Sequence, residues 1–202
     1  MRLPPATRLV VGFEYREDAE QFLVELQERL ATFALELKTE KTRLVEFGRN
    51  AARTRAARGL GNPETFDFLG FTHACGKTRT GGFHLKRISN AKRVRAKLKQ
   101  VKAELMRRRH LPIPEQGHWL RSVVQGHLAY YAVPGNLDVV RSFRVQVQRI
   151  WYRALGRRSQ KKRMDFQRMD RLAARWLPPA RVLHPYPERR FDASTRGRNP
   201  VR

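Results

Sequence analysis

The sequence predicts an α+β fold, with a short strand-and-helix segment followed by a small bundle of helices. Two observations carry this. Over residues 1–88 brief apolar runs alternate with one amphipathic stretch, whereas from Ser89 to Trp176 apolar residues recur only at helical spacing. Charge divides the chain as well. Residues 1–50 hold 8 Lys+Arg against 9 Asp+Glu, a balance of −1, and residues 51–202 hold 35 against 9, a balance of +26. Three segments follow: residues 1–88, a helical region at 89–177, and an extended basic tail at 178–202.

Residues 9–13 (Leu-Val-Val-Gly-Phe) read as a strand. A helix follows over residues 16–37, with Phe22, Leu23, Leu26, Leu30 and Phe33 on one face and Glu17, Asp18 and Glu20 in the first turn, where they suit the helix dipole. Residues 42–47 read as a second strand ending at Gly48, so the segment suggests half of an open α/β sheet. Residues 49–63, rich in Arg, Ala, Gly and Asn, read as an exposed basic loop with room for a helical turn. The apolar run 66–72 is interrupted at Gly70 and can pair as a hairpin with residues 83–88 across the turn-rich stretch 76–82.

Four helices are then expected. The first carries Val94, Leu98, Val101 and Leu105 as a narrow apolar stripe and is ended by Pro112 and Pro114. The second, about 115–132, turns Leu120, Val123, Val124, Leu128 and Tyr131 inward and stops at Pro134-Gly135-Asn136. The third buries Val140, Phe143, Val147, Ile150, Trp151 and Ala154 and closes at Gly156. The fourth, 165–176, buries Phe166, Met169, Leu172 and Trp176 before Pro178-Pro179.

The net charge of +25 exceeds what solubility requires and points to a polyanionic partner, nucleic acid before an anionic membrane surface. No stretch is long and apolar enough to span a bilayer, and Met1 to Pro5 lacks the apolar core of a leader. The lone Cys75 excludes an intrachain disulfide and suits a reducing cytoplasm. None of the six His lies at metal-ligand spacing with another His or with Cys75, and no glycine-rich phosphate loop occurs, so no metal or cofactor is expected.

The strongest functional signal is the first bundle helix. Lys92, Arg93, Arg95, Lys97, Lys99, Lys102, Arg107, Arg108 and Arg109 surround its apolar stripe, with Glu104 as the only acid among them. A solvated face usually interleaves Glu; like charge at this density destabilises a helix unless an anion neutralises it, so phosphate contact is the better reading. Arg121, Arg157, Arg158, Lys161 and Lys162 extend the basic set, with Arg53, Arg55, Arg58 and Arg163 beside them. Trp119, Tyr130, Tyr131 and Trp151 have the chemistry to stack on unpaired bases, yet their helical spacing favours core, and His127 reads as a packed or interfacial residue.

Several stretches, taken in order, resemble bacterial group II intron-encoded reverse transcriptase/maturases: Val10-Val11-Gly12-Phe13, Glu40-Lys41-Thr42-Arg43-Leu44, Phe66-Asp67-Phe68-Leu69-Gly70-Phe71, Trp119-Leu120-Arg121-Ser122, Gly126-His127-Leu128-Ala129-Tyr130-Tyr131, and Trp176-Leu177-Pro178-Pro179 with His184-Pro185. The resemblance implies that residues 1–88 are a remnant of the polymerase palm, that Phe68, Leu69, Gly70 and Phe71 form a primer-grip-like hairpin, and that residues 89–177 are the maturase-specific thumb. It implies structured RNA, the group II intron, as partner, with DNA as a further one. The family's Tyr-x-Asp-Asp is replaced here by Pro5, Ala6, Thr7 and Arg8. A neutral hydroxyl and a fixed cation cannot hold the divalent ions of nucleotide transfer, so no catalytic residues are assigned, and Lys41 loses its role beside a leaving pyrophosphate. Mg²⁺ enters only if a separate palm and fingers chain supplies the carboxylates and rebuilds a split polymerase; a decayed, non-functional remnant is the other alternative.

Overall fold

The computed structural model describes residues 8–158 and 164–186. Pro5, Ala6, Thr7, Lys161, Lys162, Arg163 and the tail beyond residue 186 lie outside the described residues. The chain forms two compact units, residues 1–69 with 73–85, and residues 70–72 with 86–202. The fold is α+β: six helices and one three-stranded antiparallel sheet are present among the described residues.

In the first unit, α1 spans Arg16–Ala31. It ends six residues before the expected stop at 37. Leu35 N–H donates to Leu30 O and Ala34 N–H to Ala31 O, both at 3.0 Å, while Ala34 sits at φ 55. This left-handed cap satisfies the last carbonyls, and it went unseen in the sequence because glycine normally marks it. The apolar face forms as spaced, but Phe22, Leu23, Leu26 and Leu30 are only half-buried and Phe33 is 60% exposed. The two strands expected at 9–13 and 42–47 do not form; both stretches lack strand pairing, and a single 3₁₀ turn, Thr39–Lys41, precedes the second. A strand exists only through a paired neighbour. Among the described residues neither stretch has one, so the half-sheet reading is corrected.

Helix α2, Ala51–Ala57, replaces the middle of the expected loop. It places Arg55 and Arg58 on Glu46, and Arg55 also lies 3.8 Å from Glu64. Strands β1 (Phe66–Phe68), β2 (Phe71–Lys77) and β3 (Phe83–Ser89) pair in the order β1-β2-β3. The interruption at Gly70 is thus itself a hairpin. Leu69 and Gly70 both adopt positive φ, 46 and 83, as a two-residue turn of this hand requires.

The second unit holds α3 (Ala91–Arg107), α4 (Ile113–Tyr131), α5 (Leu137–Gly156) and α6 (Phe166–Trp176). The Asn90 side chain caps α3 by accepting from Arg93 N–H at 3.1 Å. Pro112 and Pro114 do not merely end α3. Pro112 precedes α4 and Pro114 lies in its first turn, where the missing N–H costs nothing. Helix α5 packs on α3, α4 and α6, and the core runs through Leu98, Leu105, Leu120, Val124, Phe143, Val147 and Trp151. Three polar groups key this core. Gln116 donates to Leu111 O at 2.9 Å and accepts from the Trp151 indole at 2.9 Å. Asn136 accepts from Ser89 N–H and donates to Ser89 Oγ and Tyr131 O. Arg144 donates to the carbonyls of Ala173, Leu177 and Pro178, tying down the end of α6. At Gly117 any Cβ would stand 2.4 Å from the Trp176 ring, so glycine is what lets α6 lie on α4.

One helical expectation fails. Phe166 is 68% exposed and stacks on Tyr152 at 4.7 Å instead of entering the core, because it is the first residue of α6. Among the described residues no helix is long and apolar enough to cross a membrane.

Candidate nucleic-acid interface

Helix α3 sorts its side chains into three rows by the three- and four-residue steps of an α-helix. Val94, Leu98, Val101 and Leu105 form the row that faces the core. Lys92, Arg95, Lys99 and Lys102 form a second row, all exposed. Arg93, Lys97 and Gln100 form a third, and Glu104 ends it. Among the described residues, Lys92, Arg93, Arg95, Lys97, Lys99 and Lys102 make no ion pair. Six like charges on about three turns, with no acid among them to offset them, leave an uncompensated positive field along one helix.

The other expected cations divide. Arg108 is held by Glu104 at 2.6 Å and covers Trp119 at 5.2 Å from the ring centre. Arg107 reaches the same carboxylate at 3.5 Å while staying exposed. Arg158 donates to Leu111 O at 3.1 Å and His110 O at 3.3 Å, binding the end of α5 to the turn between α3 and α4. Arg121 and Arg157 are exposed. Arg108 and Arg158 therefore carry structural roles: the partner of Arg108 is Glu104, four residues back on the same helix, whereas the carbonyls that hold Arg158 come from elsewhere in the fold. Arg144 belongs to the same class.

The hairpin residues are placed as follows. Phe68 is half-buried, Leu69 is 61% exposed, and Gly70 is buried. Phe71 stacks on Tyr130 with ring centres 5.9 Å apart and meets Tyr131 edge-on at 5.3 Å. A Cβ on Gly70 would stand 2.9 Å from Tyr131 Oη and 3.3 Å from Arg93 Nη1, so glycine serves both the turn and this close approach. Of the four aromatics weighed for stacking, Trp151 is fully buried, Trp119 and Tyr131 are half-buried, and Tyr130 is 49% exposed.

Beside the third row of α3 lies a cavity of about 480 Å³ whose far wall is α4. His127 is buried in its lining and stacks on Phe143 at 3.6 Å. Burial, and secondarily the Lys97 charge, pushes the imidazole down to about 4 from its ordinary 6.5. The unfolded chain therefore takes up a proton near pH 6.5 that the folded one refuses until about pH 4. The contribution is complete above pH 6.5 and is lost as pH falls toward 4. Acid should cost about 2 kcal/mol of stability over that window, and a His127→Phe variant should lack that slope in urea unfolding measured from pH 7 to 4.

Among the described residues no three His, Cys, Asp or Glu side chains converge to hold a metal ion. Comparison with models of known families, with characterised proteins and with solved structures finds no match.

Proposed function

We propose that this chain binds structured RNA of the kind a group II intron provides, through the cations of α3, and that it supports the folding and splicing of that RNA without a polymerase site of its own. The observation that carries the reading is the run of six unpaired cations on α3. Close-packed phosphates release condensed counterions when Lys and Arg replace them, and that release drives association. Phosphate contacts fix register and favour compact RNA without reading sequence, so the chemistry of splicing stays with the RNA. The motif order from Val10 to Pro185 supports an intron as the RNA in question.

The test is competition at fixed salt. A labelled group II intron transcript, bound at about 0.1 M salt, should resist displacement by a tenfold mass excess of plain duplex RNA. Displacement by duplex in proportion to mass would leave a general nucleic-acid binder and remove the intron assignment.

A further inference from the structure

We propose that the cavity between α3 and α4 receives one unpaired nucleotide of a bound RNA strand, its phosphate on Arg93 and Lys97 and its base in the interior. The inference rests on the RNA reading above and adds a second mode of contact to it.

The lining grades from exposed to buried. Arg93, Lys97 and Gln100 are exposed and mark the mouth on the α3 side. Val94, Val123 and Tyr131 are half-buried and make the walls, and His127 closes the floor. A volume of about 480 Å³ falls in the range of small-molecule sites, large enough for a nucleotide and too small for a duplex segment. Cations at the mouth suit a phosphate, and an apolar, aromatic interior suits a planar base, which is how unpaired RNA bases are commonly held. The third row of α3 thus faces an open groove.

Two further features point to an occupant. His127 Nε2 is shielded from water and has no hydrogen-bond partner among the described residues, an unsatisfied polar atom beneath the surface of that floor. Gly126 lines the same cavity from within α4, although a helix interior disfavours glycine. Gly126 is exposed and a Cβ built there would meet nothing within 4 Å, so no packing contact requires the glycine.

Three RNA hairpins separate the outcomes: an uninterrupted stem, the same stem with a one-nucleotide bulge, and the same bulge made abasic. The full chain should bind the bulged stem about tenfold more tightly than either of the others, the usual scale for one sheltered base. Gly126→Leu, which fills the groove with a better helix former, should abolish that preference while leaving affinity for the uninterrupted stem unchanged and the thermal midpoint no lower. Ser122→Leu, from the exposed lip of the cavity, should repeat the effect if Gly126→Leu folds poorly. Equal affinity for all three RNAs, or a preference that survives both variants, overturns the cavity site and leaves the phosphate reading standing. Failure to hold any of the three at low salt overturns the RNA reading, and the cavity site with it.

Discussion

Changing Lys92, Arg95, Lys99 and Lys102 together to Glu should lower affinity for structured RNA about ten-thousandfold at 0.1 M salt, since each of the four phosphate contacts is worth about tenfold there. The four residues form one row, all exposed, and none is paired among the described residues. Their removal therefore leaves the core row of Val94, Leu98, Val101 and Leu105 untouched. Glutamate is also a good helix former, so α3 should keep its helicity. Helix content by circular dichroism is the control and filter binding the readout. A loss smaller than about tenfold would place the interface on another part of the molecule.

The largest effect on stability is expected at Trp151. Its side chain on α5 is fully buried, and its indole N–H donates to Gln116 Oε1 at 2.9 Å. Trp151→Ala removes the largest fully buried side chain of the core and strands a buried amide oxygen, and should cost about 4 kcal/mol, a large share of the roughly 5–15 kcal/mol a domain possesses. Trp151→Phe keeps most of the volume and loses the hydrogen bond, and should cost about 2 kcal/mol. Urea unfolding followed by circular dichroism measures both. Equal costs for the two variants would assign the whole effect to the hydrogen bond and none to packing.

The four bundle helices were legible because each repeats its apolar residues every three or four positions, and a repeat of that kind is local information. Leu98, Leu120, Phe143 and Met169 are buried as their spacing requires. Strands are different. An apolar run such as Leu9-Val10-Val11 looks the same whether or not a neighbour exists to pair with it; here these residues stay 44–66% exposed and unpaired. The end of α1 was missed because Ala34, not glycine, takes the left-handed position. In the candidate interface, the three rows of α3 follow from spacing alone. The engagement of Arg108 by Glu104 was within reach of the sequence, four residues apart, but that of Arg158 by the carbonyls of His110 and Leu111 was not. The cavity was illegible for a similar reason: it is a gap between two helices, and only the absence of a side chain at Gly126 hinted at it.

The central claim is that α3 exchanges counterions with RNA phosphates, and the salt dependence of binding tests it most directly. With six contacts from Lys92, Arg93, Arg95, Lys97, Lys99 and Lys102, log affinity for a structured RNA should fall against log salt with a slope of about −5, and the four-residue Glu variant should retain a slope of about −2. A slope near zero in the unaltered protein, or the same slope in both proteins, would contradict the account.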